Sequence, residues 1–349
     1  MVYNMQKLKL FLLFLSFVCL IILSGCNVID GITGKDNEEQ KTTIHPVLLN
    51  GEWGYINQKG KMVISPRFDE ARDASNGYAA VRNGTLWGFV KTDPAQVILT
   101  STFSTLGDFE DDLAPAQLPS GQYGYINGSG EFVIEAQFDF AAKFSNGYAA
   151  VRTDGLWGYV SSTGATVIEP VYSDARSFSN GLAAVETFNG WIYINSEGNT
   201  VLDPAFQITD AGEFEDGIAP IQTVDGWGYI NKAGNPIITP EYDSARKFSE
   251  GRASVNDDGY IGFIDKEGEF IIPAQFNDVK SFSEDMAAVQ LSSDWFYINK
   301  KSGKIVINTP YENAESFVNG IARVQEGENE NATYGYINKK GDYVWYPSK

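Results

Sequence analysis

Between residues 144 and 170 the chain reads FSNGYAAVRTDGLWGYVSSTGATVIEP, in which apolar runs of four or five residues alternate with clusters of Asp, Ser, Thr and Gly. Runs of that length, rich in aromatic and β-branched residues and bounded by turn formers, predict strands over 148–152, 156–160 and 165–168. The turns between them fall at 153–155 and 161–164. The second turn recurs with Asn or Asp at its start and Gly three residues later, as at Asn57, Asn127, Asn195, Asn231 and Asp265. Such side chains hydrogen-bond their own backbone, and Gly accepts the positive φ that ends the turn. Within 156–160, alternation places Trp157 and Tyr159 on one face and Leu156, Gly158 and Val160 on the other. Both faces are apolar, as in small sheets covered on both sides. The following piece, 171–181, predicts either a fourth strand or a wrapped connection, with Pro66, Pro170 and Pro240 favouring a bend or an edge.

The pattern repeats. Aligned on the Trp position, the units centre on Trp53, Trp87, Tyr123, Trp157, Trp191, Trp227, Ile261, Trp295 and Tyr334, at spacings of 34 to 39 residues. A fixed period in this range marks a tandem array of one supersecondary unit. Extra residues fall where turns are predicted, at 118–122, 208–213, 300–303 and 326–333. A lone hairpin is marginal in water, so the copies must bury their apolar faces on one another. The Ala pairs at 79–80, 149–150, 183–184 and 287–288 suit a crowded position.

The units resemble the WG-repeat family, whose members carry Gly-x-Trp-Gly-Tyr-Ile-Asn-x-x-Gly, and the match runs from Gly51 to about Tyr346. Departures are Tyr123, Ile261 and Tyr334 for the Trp, and Ile192 and Phe296 for the Gly. The resemblance implies a β-rich scaffold on bacterial secreted or surface proteins. The expected fold is all-β: about nine antiparallel units, propeller-like, with an open β-solenoid or superhelical array as the alternative.

Ahead of the repeats, Lys7 and Lys9 precede the apolar run 10–23 and then Leu23-Ser24-Gly25-Cys26. The run is shorter than the roughly 20 residues that span a bilayer, and small residues precede the cysteine, as in a cleaved signal peptide. The four residues resemble the lipobox of bacterial lipoproteins, which implies diacylation of Cys26. Acyl chains contribute about 0.8 kcal/mol per buried CH2, enough in pairs to hold a protein on a membrane. The expected organisation is a lipoprotein signal peptide over 1–25, a flexible polar tether over 26–45 and the repeat domain over 46–349. Everything after Cys26 is expected outside the cytoplasm, on the bacterial cell envelope.

Formal charge is -19, and loss of the two leader lysines makes it -21. Such a chain repels nucleic acid, whose phosphates need clustered Lys and Arg. Cys19 and Cys26 are the only cysteines and His45 the only histidine. That excludes a disulfide framework, a His- or Cys-based metal site and a Ser-His-Asp triad in the repeats.

Three sets of residues carry candidate chemistry. The Trp series could stack on sugars, although a residue at one place in every unit is what units use to pack. Arg72, Arg176, Arg246 and Lys280 occupy one equivalent position, with Asp69, Asp243 and Asn277 three residues earlier, and read as exposed or local ion pairs rather than a polyanion site. Glu110-Asp111-Asp112 and Glu213, Glu215 and Asp216 lack the alternating ligand spacing of dedicated calcium loops. The sequence therefore predicts a lipid-anchored module without catalysis, metal or cofactor, which binds or scaffolds a protein or cell-wall partner. The alternatives are a carbohydrate-binding or carbohydrate-active surface protein and a plain spacer.

Overall fold

The computed structural model describes residues 43–348 except 205. Asp154 and Gly155 both take positive φ, 51° and 79°, the geometry of the two-residue hairpin turn whose twist matches the strands it joins. It sets Tyr148–Thr153 against Leu156–Ser161, with Thr153 opposite Leu156. Where the second turn begins with Asn, its side chain organises it: Asn127 Oδ1 accepts from the backbone N–H groups of Ser129 and Glu131 at 3.0 and 3.1 Å.

The third strand, Thr166–Tyr172, pairs Ile168 with Tyr159 and Tyr172 with Trp157. Residues 169–171 thus bulge opposite Gly158 alone, with Pro170 where no ladder N–H is required. The bulge drives backbone onto the glycine: a Cβ on Gly158 would lie 2.4 Å from the Ile168 carbonyl oxygen and 2.7 Å from Pro170 N. At Gly54, Gly124, Gly228 and Gly262 two backbone atoms likewise fall within 2.7 Å of the added carbon. In these blades the bulged strand therefore runs hard against the glycine of the Trp-Gly pair.

Only Ser173 separates this strand from the two-residue strand Asp174–Ala175, which pairs not with its own unit but with Ala183–Thr187 of the next. The piece 171–181 is thus divided. Its start completes one sheet, Asp174–Ala175 opens the next, and 176–181 connects. Nine sheets follow in chain order; eight have four strands, and the first has three, Ile44–Leu49, Glu52–Asn57 and Met62–Phe68, among the described residues. Ile44 and His45 stand in a strand, inside the stretch that the sequence assigns to the tether.

Each sheet is covered on both faces. Tyr159 and Ile168 pack with Phe178, Val185 and Ile194 of the following sheet, whereas Val160, Ala149 and Val151 pack with Tyr125 and Ile134 of the preceding one. The buried tyrosine of each unit also ties neighbours together. Tyr159 Oη donates to the Arg176 carbonyl at 2.7 Å, and Tyr125, Tyr229 and Tyr297 make the same bond to residues 142, 246 and 315. On the connections, Ser145, Ser179, Ser249 and Ser283 each donate Oγ to the carbonyl of a phenylalanine one unit further on.

The array closes on itself. Val47 and Ile56 of the first sheet share an apolar cluster with Ile321 and Tyr336 of the last, so the molecule is a β-propeller of nine blades, and the open array is excluded. The seam uses side chains where other blades use a strand. In the fourth blade the carbonyls of Arg152 and Ala150 accept from the backbone N–H groups of Asp139 and Ala142. Leu48 and Pro46 hold those positions in the first blade, and their carbonyls accept from Ser348 Oγ at 2.7 Å and Tyr336 Oη at 2.8 Å. Pro46 presents no N–H on this edge, which protects a strand that no other strand pairs there among the described residues.

Candidate functional site

Repeats make most of the surface alike, so a site is sought where a blade departs from the pattern. The first hairpin turn of the first, fourth and seventh blades is a pair of positive-φ residues, Asn50-Gly51, Asp154-Gly155 and Asp258-Gly259. The fifth and sixth blades are built differently, as Thr187-Phe188-Asn189-Gly190 and Thr223-Val224-Asp225-Gly226. Here the threonine hydroxyl organises the turn. Thr187 Oγ1 accepts from Asn189 N at 3.2 Å and donates to the Gly190 carbonyl at 2.8 Å, and Thr223 does the same around Asp225 and Gly226 at 3.2 and 3.4 Å. With positive φ moved to Gly190 and Gly226, neither Phe188 nor Val224 takes it, and a bulky residue stands at the tip without strain.

Phe188 is 105% exposed and Val224 84%. They are flanked by Leu156 of the fourth blade, at 41%, and Tyr260 of the seventh, at 52%, each the first residue after its own turn. Four consecutive hairpin tips thus present large apolar groups, interleaved with Asp154, Asn189, Asp225 and Asp258. Large apolar side chains exposed at equivalent places on consecutive blades make these tips the candidate interaction surface.

Beside Phe188 the fifth blade opens. Ile192 replaces the glycine, and the third strand does not pass it in the usual three-residue bulge. Instead, five residues separate Leu202 from Ile208, where three separate Ile168 from Tyr172, and the strand covers only Thr200–Leu202. The longer path leaves a cavity of about 520 Å³ lined by Trp191, Ile192, Asp203, Pro204 and Phe206 among others. The extra length therefore lies at 203–207, not at 208–213 as the sequence reading placed it; Asp210–Ala211 is the regular short strand. Phe296 makes a different accommodation: it packs half-buried against the apolar cluster that includes Val279, Val289 and Ile298, and its third strand, Ile305–Tyr311, keeps the usual bulge. At the third irregular unit, Ile261 packs half-buried against Phe263 and Phe276.

The other candidates are used structurally. Trp87, Trp191 and Trp295 are buried, and Trp53, Trp157 and Trp227 half-buried. Cations lie over several: Arg72 Cζ is 4.0 Å from the Trp87 ring centre, Arg176 Cζ 4.7 Å from that of Trp191 and Lys280 Nζ 5.5 Å from that of Trp295. The basic ladder does not pair with the residues three positions earlier. Asp69, Asp243 and Asn277 instead accept from the backbone N–H groups of Gly84, Gly259 and Ser292 at hairpin turns. The ladder reaches forward one blade: Arg72 to the Leu106 carbonyl, Arg176 to Asp210 at 3.0 Å, Arg246 to the Val279 carbonyl and Asp278, and Lys280 to Glu315 at 3.3 Å. It is an inter-blade fastening.

The acidic clusters are likewise engaged. Glu110 accepts from Asn76, Asp111 from Gly147 N, Glu213 pairs with Lys247 and Asp216 with Lys266. No group of three or more His, Cys, Asp or Glu suited to a metal occurs among the described residues. The loop at 118–122 is a hairpin turn, and that at 326–333 contains the short 3-10 turn Asn329–Asn331. Cys26 and the leader lie outside the described residues. What sequence reasoning passed over is Phe188 and Val224, although their signal was present: an apolar residue at the tip where the first, fourth and seventh blades carry Asn or Asp.

No curated protein matches the chain in sequence. Among solved structures, the crystal structure of the eukaryotic initiation factor matches with a TM-score of 0.62 at 12% identity, over 88% of this chain and 97% of that one. BamB from Moraxella catarrhalis matches at 0.44 and 14% identity over 68% and 86% of the two chains. PorZ, a surface component of the type-IX secretion system of Porphyromonas gingivalis, matches at 0.38 and 9% identity over 87% and 46%. The first shows a shared fold and nothing of activity. The WG containing repeat matches residues 53–87, 123–157, 157–191, 191–226, 227–260, 261–293 and 295–329, well over half of the chain, which therefore belongs to the WG-containing repeat family.

Proposed function

We propose that this chain is a lipid-anchored protein of the bacterial envelope that binds a protein partner through the hairpin tips of its fourth to seventh blades. The observation that carries the reading is the run of exposed apolar tips, with Phe188 105% and Val224 84% exposed beside the cavity of the fifth blade. Exposed side chains of that size contribute little to folding, and aromatic anchors entering or flanking pockets dominate protein interfaces. Asp203 in the cavity and Asp225 and Asp258 among the tips favour a partner that combines apolar residues with Lys or Arg. The leader and Cys26 support anchoring outside the cytoplasm, and the aromatic series gives little support to sugar stacking because its rings pack between strands and beneath cations.

Crosslinking on intact cells, followed by recovery of the tagged chain, tests the binding face. Phe188→Asp with Val224→Asp is expected to remove the crosslinked partner while the melting temperature stays unchanged; an unaltered crosslink pattern would count against this face. For the anchor, Cys26→Ser is expected to move the protein out of the membrane fraction and abolish labelling with a fatty-acid analogue. Labelling that survives the substitution would sink the lipoprotein reading.

A further inference from the structure

The seam between the ninth and first blades holds a second cavity, of about 300 Å³, and the three positions at which the repeat pattern fails most sharply all line it. The first is His45. Its counterparts in the other eight blades are Ala79, Ala114, Ala149, Ala183, Ala219, Ala253, Ala287 and Ala322. The second is Arg323, cross-strand from Tyr336, at a position held elsewhere by Ala, Pro or Ser. The third is Ala74, which stands on its connection where the other seven carry a phenylalanine. Two large polar groups thus replace small residues, and one large apolar group is withdrawn, around one space.

The chemistry of that space is specific. His45 is 3% exposed, and its Nε2 is buried with no hydrogen-bond partner among the described residues. A buried polar atom without a partner requires an explanation, and of the five such side-chain atoms among the described residues His45 Nε2 is the one whose residue lines this cavity. The nearest carboxylate to the Arg323 guanidinium is that of Asp73, at 4.0 Å, the limit of an ion pair, and Asp73 stays 66% exposed at its side chain. Glu315, the other lining carboxylate, is committed to Lys280. Ile44, Ile321 and Ala74 supply an apolar wall. One guanidinium, one carboxylate held only at the limit of an ion pair with it and an orphaned imidazole nitrogen therefore face a space at the lower end of the sizes that hold small ligands.

We propose that the seam cavity binds a free α-amino acid, its carboxylate on Arg323 and on His45 Nε2–H, its ammonium on Asp73 and its side chain against Ile44 and Ile321. The ligand carries both charges because the site does. A bidentate carboxylate on Arg323 is the geometry for which a guanidinium is suited, and it completes the one buried polar atom the seam leaves open. The site is separate from the hairpin tips and does not depend on the partner proposed for them.

Calorimetric titration of the detergent-solubilised full chain with L-alanine, L-leucine, L-phenylalanine and L-glutamate tests the proposal. At least one is expected to bind, and its analogues lacking the amino group or the carboxylate are each expected to bind at least tenfold more weakly. Arg323→Ala and Ala74→Phe restore residues that sister blades carry, so both should fold, with unchanged circular dichroism, and both should abolish binding, the first by removing the anion partner and the second by filling the cavity. Absence of heat with all four amino acids overturns the proposal, as does undiminished binding to either folded variant or equal binding of a single-charge analogue. Should Arg323→Ala fail to fold, Ala74→Phe alone decides.

Discussion

The His45 imidazole lies 5.4 Å from the Tyr336 ring, centre to centre, across the seam of the propeller. In seven other interfaces the ring beside this aromatic belongs to a connection phenylalanine, as with Phe178 at 4.7 Å from Tyr159. His45 takes that place from the opposite strand, so closure of the ring depends on a titratable group. Burial holds its pKa down to about 4, against 6.5 for the free side chain, with the Glu284 carboxylate pulling the other way. The native state therefore keeps His45 neutral while the unfolded chain protonates it. Stability is full above about pH 6.5 and is lost progressively as pH falls towards 4, by up to about 3 kcal/mol. Thermal unfolding of the wild type should fall between pH 7 and pH 4.5 more steeply than that of His45→Phe, which keeps a ring without the charge; carboxylate titration is common to both. Parallel curves would show that the imidazole does not seal the seam.

Gly158→Ala should be costly although glycine is ordinarily a poor strand residue. The added carbon would stand 2.4 Å from the Ile168 carbonyl oxygen, with backbone rather than a movable side chain in the way. Strand and bulge must shift, and overpacking of this kind costs about 1–3 kcal/mol. Urea unfolding should show the midpoint moving down by a corresponding amount. A midpoint at or above that of the wild type would mean that the bulge yields freely.

The forward reach of the basic ladder is tested with Arg176 and Asp210, whose charged groups are 3.0 Å apart across two blades. Arg176 also bonds Asp174 at 3.0 Å and lies over Trp191. With its side chain 35% exposed, water and salt screen the pair, and its coupling should be about 1 kcal/mol or less. A double-mutant cycle with Arg176→Ala and Asp210→Ala should return that coupling and show it weakening in high salt. A cycle that closes to zero would leave the cation over Trp191 as the residue's main contribution.

The repeating parts of this fold are legible in sequence because they are local. Turn residues at 154, 155 and 164 and the alternation of Trp157, Tyr159 and Val160 report conditions met within a few residues. What escapes is set between units. A two-residue strand such as Asp174–Ala175 has no periodicity of its own, and only its partner, Glu186 and Val185 in the next sheet, reveals which blade owns it. The ladder's acidic partners lie 32 to 35 residues ahead rather than three behind, because neighbouring blades bring equivalent positions together. The extra residues of the fifth blade are placed only by strand pairing, which ends at Leu202 and leaves 203–207 outside the sheet. Closure was the least legible: Pro46 meeting Tyr336, and Leu48 meeting Ser348, join residues about 300 apart.

Two phenylalanines ten residues apart should behave oppositely. Phe178 is 1% exposed, with its ring 4.7 Å from that of Tyr159 and 5.2 Å from that of Tyr148, and it fills the interface between the fourth and fifth blades. Its loss leaves a void bounded by rigid strands, for which truncation to alanine costs about 3–5 kcal/mol. Phe188 is fully exposed at the hairpin tip and contributes nothing to that interior. Phe188→Ala should leave the urea midpoint within the roughly 0.5 kcal/mol typical of surface changes, whereas Phe178→Ala should shift it strongly, and binding of the partner should show the reverse order for as long as the Phe178 variant stays folded. If Phe188→Ala unfolds the protein as readily as Phe178→Ala, the tip is part of the fold, and the surface assigned to the partner is not free for it.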